Sequence, residues 1–177
     1  FFNPAKCVPT GNPIRKEFFA APTQTYDPHG KTLVVLGGSQ GARAINQVIA
    51  QNLERLPQDW HIIHQTGVSD FESVKAAYQM KYPGRAEVSP FIEDMVGTMA
   101  KATFVVSRSG AITVSELVQM GKPCLLVPFP RQGQNDQTDN ARWMEGAGGA
   151  VMVEQGEGFT ERFWAAWNRT VRSEERR

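Results

Sequence analysis

Between residues 32 and 153 the chain alternates short, unbroken apolar runs with stretches of helical period. Thr32–Leu36 reads T-L-V-V-L, Phe104–Ser107 reads F-V-V-S and Cys124–Val127 reads C-L-L-V. A strand with one face in water alternates apolar and polar side chains, whereas a strand apolar at successive positions is covered on both faces. Helices must then lie above and below one sheet, and strands joined through helices run parallel. The alternation therefore predicts an α/β fold, a Rossmann-like parallel sheet flanked by helices.

The remaining elements follow from period and punctuation. Ala42, Ile45, Val48, Ile49, Leu53 and Leu56 recur at helical spacing, so Gln40 to Leu56 reads as one amphipathic helix. His61–Gln65 reads as a strand. A helix runs from Ser69 toward Met80, with Asp70 and Glu72 in its first turn, where the dipole favours acids. A short strand at Glu87–Ser89 and a short helix over Asp94–Lys101 precede Phe104. A helix over Ala111–Met120 is closed by Gly121. A helix over Asp139–Glu145, a strand over Ala150–Val153 and a last helix follow. Phe163, Trp164, Trp167 and Val171 share one face of that helix and read as packing residues. Residues 1–30 hold Pro4, Pro9, Pro13, Pro22 and Pro28, which mark a linker or arm and not a packed core. The expected organisation is an arm over 1–30, a ligand-binding domain over 31–155, and a helix with a charged tail over 156–177.

Composition narrows the function classes. A chain of 177 residues fits one domain, and a net charge of +1 without a basic stripe gives no attraction to nucleic acid. No apolar stretch reaches the length of a membrane span. The N-terminus has neither a signal-peptide pattern nor an initiator Met, as a piece of a longer chain would. Cys7 and Cys124 form no CxxC pair, and Cys124 lies in an apolar run, so it reads as a buried free thiol. His61 and His64, three apart on a strand, fall on opposite faces, which argues against a metal site.

Open α/β sheets bind ligands beyond the carboxyl ends of their strands. Three loops there stand out. Gly37-Gly38-Ser39-Gln40-Gly41-Ala42 joins a strand to a helix, and its glycines let the backbone come close to a phosphate or sugar. It lacks the spacing of G-x-G-x-x-G and the G-K-[ST] of a P-loop, so on its own it reads equally as a tight turn. Ser107-Arg108-Ser109-Gly110 leads into a helix whose first N–H groups suit a diphosphate, with Glu116 placed to accept hydrogen bonds from ribose hydroxyls. Taken alone, that segment reads better as a surface helix with a Glu near its start. Phe129 to Asn140 is dense in side-chain amides, which carry both donors and acceptors for a sugar, or cap a helix from a solvated loop.

Several segments occur in one order: Gly11-Asn12-Pro13-Ile14-Arg15, Gly37 to Asn46, His64-Gln65-Thr66-Gly67, Pro90-Phe91-Ile92-Glu93-Asp94-Met95, Arg108 to Glu116, and Pro128-Phe129-Pro130 through Gln137 to Asn140-Ala141. This series resembles the C-terminal domain of the MurG family over residues 8–155. The amide loop departs from the family pattern at 131–136, and the segment after Gly156 does not resemble the family tail.

The resemblance implies the C-terminal half of a GT-B glycosyltransferase, a UDP-N-acetylglucosamine (UDP-GlcNAc) transferase that makes lipid II for peptidoglycan. It implies that Arg15 lies near the uracil or the interdomain cleft. Gly38, Ser39, Gln40 and Gly41 would face the diphosphate, and Phe91 and Ile92 would flank the uracil. Ser109, Gly110, Ala111, Ile112, Thr113, Val114 and Ser115 would surround the phosphates, the N–H groups of Ala111, Ile112 and Thr113 binding them. Glu116 would hold the ribose, and Gln137, with Asp136 beside it, the GlcNAc hydroxyls. No metal or other cofactor is implied. The catalytic base, the lipid-linked muramyl acceptor and a peripheral contact with the inner face of the cell membrane would belong to an N-terminal domain, so this chain alone is expected to bind donor without transferring sugar. Two other readings are a stand-alone UDP-GlcNAc-binding subunit with a separate partner, and a UDP-sugar enzyme such as a UDP-GlcNAc epimerase. A nicotinamide-dependent oxidoreductase is disfavoured because its fingerprint is absent.

Overall fold

The computed structural model describes residues 6, 8, 10–20, 30–37, 42–130 and 136–174, with side chains as far as 171. Its strands are β1 (Thr32–Leu36), β2 (His61–Gln65), β3 (Ala86–Ser89), β4 (Phe104–Ser107), β5 (Cys124–Leu126) and β6 (Ala150–Met152). Its helices are α1 (Glu17–Ala20), α2 (Arg43–Ala50), α3 (Phe71–Lys81), α4 (Met95–Lys101), α5 (Ala111–Gln119), α6 (Asp136–Gly146) and α7 (Phe159–Glu174). The strands form one parallel sheet in the order β3-β2-β1-β4-β5-β6. The expected Rossmann-like sheet is what forms.

The order explains where a ligand goes. The chain builds outward from β1 to β2 and β3, then returns to the other side of β1 to lay down β4. Helices leaving β1 and β4 pass to opposite faces, which opens a crevice at their carboxyl ends. Leu36 pairs with Ser107 in register, so the turns after β1 and β4 start side by side.

Alternation along β1 splits the core in two. Leu33 and Val35 face one side with Trp60, Tyr78, Tyr82, Phe104, Phe163, Trp164 and Trp167, beneath α2, α3 and α7. Val34 and Leu36 face the other with Phe18, Met99, Val114, Leu117, Cys124 and Met144, beneath α4, α5 and α6. On the aromatic side Trp167 meets Trp60 at 5.8 Å and Phe104 at 5.6 Å between ring centroids, both edge to face. Trp164 and Trp167 are thus packing residues, and α7 closes the main core. Cys124 is a buried free thiol, and burial pushes it up to about 12; Cys7 lies outside the described residues. Among the described residues no helix is long and apolar enough to cross a membrane.

Two local expectations change. The helix read over 40–56 is α2, a turn, and a 3₁₀ turn at Leu53–Arg55. Asn52 stops it. Its Nδ2 donates to the Val48 carbonyl at 2.9 Å, the acceptor its own N–H would use in a continuing helix, and that N–H goes to Ile49 instead. Leu53 and Leu56 still reach the core through the turn. The arm is also not wholly separate from the core. Glu17–Ala20 makes one helical turn, and Phe18 is enclosed in the second core beside α5.

Candidate functional site

The turn after β4 leads into the N-terminus of α5. Gly110 caps α5 with φ −62° and ψ 144° and supplies no side-chain acceptor. The first bond of the helix runs from Val114 N–H to the Gly110 carbonyl at 2.9 Å. The N–H groups of Ala111, Ile112 and Thr113 therefore have no partner within the helix, and the helix dipole adds positive potential there. Gly110 has a backbone that any residue adopts, and a Cβ on it would meet none of the described residues within 4 Å. Nothing among the described residues requires glycine at 110.

Glu116 follows on α5, its side chain 8% exposed. Its Oε1 accepts from Arg15 Nη2 at 3.3 Å, and the Arg15 guanidinium also lies 5.1 Å from the centre of the Phe18 ring. Asn12 Nδ2 donates to Ser115 Oγ at 3.2 Å and to the Ala111 carbonyl at 3.5 Å. The arm thus lies along the first turns of α5, anchored by Phe18 and charge-paired through Arg15. Arg15 stays half in solvent, so the pair adds little stability by itself.

The turn after β5 is tied to the same place. Ser109 is fully enclosed, and its hydroxyl donates to the Gln137 carbonyl at 2.7 Å. Asn140 Nδ2 donates back to the Ser109 carbonyl at 3.0 Å. Gln137 Oε1 accepts from the Phe129 N–H at 3.0 Å. Arg108 reaches across from β4: its Nη1 donates to the carbonyls of Val127 at 3.1 Å and Pro128 at 3.2 Å, and to the Gln155 side chain. Its guanidinium lies 5.2 Å from the centre of the Phe129 ring, and its buried Nε has no hydrogen-bond partner among the described residues. Burial lowers Arg108 to about 10, which still leaves it a cation at neutral pH.

The turn after β1 starts at Gly37, which is buried. A Cβ there would sit 2.6 Å from the Gln65 carbonyl oxygen and 3.2 Å from Asn46 Oδ1. Gly37 N–H donates to that same carbonyl at 2.7 Å. Glycine here is compelled by the neighbouring strand and by Asn46, in contrast to Gly110. Gly38, Ser39, Gln40 and Gly41 lie outside the described residues.

The expected site residues divide as follows. Arg15, Ser115 and Glu116 come together on one side of the α5 N-terminus, with Gly110, Ala111, Ile112 and Thr113 forming its open end. Ile92 is buried in the second core with Leu36 and Val114, and Phe91 beside it is 61% exposed. Asp136 is exposed in the first turn of α6, and Gln137 is half-buried. Two side chains turn away from the open face. Val114 packs in the core with its N–H spent on Gly110, and Ser109 is enclosed with its hydroxyl spent on Gln137. Arg108 and Asn140 are the residues that sequence reasoning left without a role. A cation directly after an apolar strand and between two serines was the available signal for Arg108. Among the described residues, no three His, Cys, Asp or Glu side chains cluster as metal ligands.

A parallel sheet in this order, with a compelled glycine after β1 and a free helix N-terminus after β4, is the nucleotide-binding class of α/β domain. Residues 32–175 match the glycosyltransferase family 28 C-terminal domain, and the chain belongs to that family. It is 40% identical over 158 residues to the UDP-N-acetylglucosamine--N-acetylmuramyl-(pentapeptide) pyrophosphoryl-undecaprenol N-acetylglucosamine transferase of Nitratidesulfovibrio vulgaris (strain DP4), covering 87% of this chain and 43% of that enzyme. It is 43% identical over 159 residues to the enzyme of the same name from Brucella abortus (strain S19), covering 85% and 42%. The crystal structure of Acinetobacter baumannii MurG superposes with a TM-score of 0.68 at 29% identity, over 87% of this chain and 45% of that one. UDP-GlcNAc 2-epimerase from Neisseria meningitidis, at 15% identity and a TM-score of 0.57, shares the fold alone. The chain spans less than half the length of these relatives. The family match continues through α7, which corrects the expectation that likeness ends at residue 155.

Proposed function

We propose that this chain is the donor-binding domain of an inverting glycosyltransferase that moves GlcNAc from UDP-GlcNAc to a lipid-linked muramyl acceptor, forming lipid II. The observation that carries the reading is the free N-terminus of α5 at the switch point, with buried Glu116 farther along the same helix. In this reading the N–H groups of Ala111, Ile112 and Thr113 take the diphosphate, joined by the Gly38–Gly41 turn and Ser39. Glu116 accepts the ribose hydroxyls while Arg15 holds its carboxylate in place. Phe91 and Ile92 flank the uracil, and Gln137 meets the sugar with Asp136 beside it.

The chemistry asked of this domain is charge stabilisation. An acceptor hydroxyl attacks the anomeric carbon, the bond from that carbon to the diphosphate oxygen breaks, and UDP leaves with the negative charge. Donors fixed before the reaction lower the barrier because they need not reorganise as that charge grows. The base that takes the hydroxyl proton, the acceptor site and any contact with the inner face of the cell membrane belong, in this reading, to the rest of a longer protein.

Calorimetric titration with UDP-GlcNAc, UDP-glucose and NAD tests the reading. UDP-GlcNAc binding that falls about tenfold or more in Glu116→Ala supports it, since a lost hydrogen bond to a charged group is worth roughly 1.5–3 kcal/mol. A folded chain that prefers NAD, or that binds UDP-GlcNAc equally well without the Glu116 carboxylate, overturns it. Sugar transfer by the 177-residue chain alone would overturn the assignment of the base to another domain.

A further inference from the structure

We infer that Ser109 and Asn140 are positioning residues for the sugar end of this site, and that they hold Gln137 where its amide oxygen is tied to Phe129 and its NH₂ donors are turned to the ligand. The inference rests on the donor-site reading above and adds what sets the sugar contact. Ser109 cannot meet a ligand through its side chain, because it is fully enclosed. A carbonyl only accepts, so the 2.7 Å contact between Ser109 Oγ and the Gln137 carbonyl oxygen requires the hydroxyl to donate. The Ser109 carbonyl in turn receives Asn140 Nδ2 at 3.0 Å, one helical turn beyond Gln137. One residue of the β4–α5 turn therefore grips the first two turns of α6, at Gln137 through its side chain and at Asn140 through its backbone.

That grip fixes a distance and a polarity. Ser109 lies two residues before Ala111, whose N–H starts the phosphate end, so the clamp sets how far Gln137 stands from that end. The polarity comes from Phe129. Its backbone N–H can only donate, so the Gln137 side-chain atom 3.0 Å away is the oxygen. A free glutamine amide offers both an acceptor and two donors. Phe129 fixes which end of the amide is oxygen and takes one of its two lone pairs, which directs the NH₂ donors the other way, toward ligand oxygens such as a sugar hydroxyl or the carbonyl of an N-acyl group. Arg108, bound to the carbonyls of Val127 and Pro128 and stacked near the Phe129 ring, keeps that N–H in place.

The test compares UDP with UDP-GlcNAc on the whole chain. Ser109→Ala, Asn140→Ala and the double variant are titrated with both compounds, with thermal melts beside them. UDP affinity is expected to stay within about twofold. UDP-GlcNAc affinity falls about tenfold in each single variant, and the double variant loses less than the sum, since both act through one clamp. Gln137→Glu keeps an acceptor for the Phe129 N–H but has no donor, so it loses the preference for UDP-GlcNAc with an unchanged melt. Asn140 is half-exposed and carries the test if Ser109→Ala does not fold. Losses that are equal for UDP and UDP-GlcNAc, or an unchanged preference in all three variants, overturn the clamp while leaving the donor-site reading intact. A folded wild-type chain that binds neither compound overturns the donor-site reading, and the clamp with it.

Discussion

His64 and Ser109 sit on opposite sides of the switch point, at the ends of β2 and β4, and both are fully enclosed. Around His64 every hydrogen bond is internal. Asn46 Nδ2 donates to the Thr66 carbonyl at 2.8 Å and to Asp70 Oδ2 at 2.7 Å, which leaves Oδ1 to face His64 Nε2 at 3.0 Å. An amide oxygen only accepts, so Nε2 carries the proton. Burial lowers His64 to about 3, so the ring is neutral and its Nδ1 accepts from the Tyr78 hydroxyl at 3.1 Å. Desolvation raises Tyr78 as well, which keeps that hydroxyl protonated. Around Ser109 the bonds run to the Gln137 carbonyl and from Asn140 Nδ2, both on α6, while the N–H groups of Ala111, Ile112 and Thr113 beside it have no partner within their helix. The first cluster braces the turn after β1. The second holds a turn whose neighbouring helix N-terminus has no partner among the described residues.

The contrast breaks most visibly at Asn46 and Gly37. Asn46→Leu should cost about 3–4 kcal/mol in urea unfolding, because it strands a buried imidazole N–H and the Thr66 carbonyl. Gly37→Ala should cost about as much or prevent folding, since its Cβ would stand 2.6 Å from a backbone oxygen. A loss under about 1 kcal/mol for both would show that the closed cluster is not a brace.

A smaller effect comes from pH. The unfolded imidazole titrates near 6.5 and the folded one near 3, so between those values the unfolded state binds the extra proton. Stability from this group is complete above about pH 6.5 and drains as pH falls toward 3. From pH 7 to pH 5 the expected loss is about 2 kcal/mol. An NMR titration in which the His64 ring protonates near pH 6 in the folded chain would contradict it.

On the open side, variants should move binding more than stability. Arg15→Ala is expected to change unfolding by less than about 1 kcal/mol, because the pair with Glu116 is partly solvated. It should still weaken UDP-GlcNAc several-fold in calorimetry by freeing the carboxylate to reorient. Gly110→Ala is the smallest expected change in stability, within about 0.5 kcal/mol, because its Cβ enters open space. On the proposed donor-site reading it should nevertheless weaken UDP. If Gly110→Ala unfolds the chain as Gly37→Ala does, the distinction between the two turns is lost.

Much of the fold was legible from residues 32–171. The central strands β1, β4 and β5 lay on apolar runs, because a buried parallel strand can tolerate few polar side chains, whereas the edge strand β3 reads A-E-V-S and is only half-buried. The candidate site was legible as loops, through Gly110, Glu116 and Gln137, but not as partners. Asn52 reads like any helix residue until its side chain is seen on Val48, and Phe18 reads as arm until the gap beside α5 is seen.

Sequence by itself determined that the sheet is parallel and buried, that the strands end in ligand-type loops, and which family the loops resemble. Those properties are carried by local pattern: period, glycine, and the order of short motifs. Only the tertiary structure decided that Arg15 meets Glu116 across 101 residues, that Ser109 faces inward to Gln137, and that Gly37 is compelled while Gly110 is free. Those facts depend on which distant backbone groups fall within about 3 Å, and a linear chain carries no record of that distance.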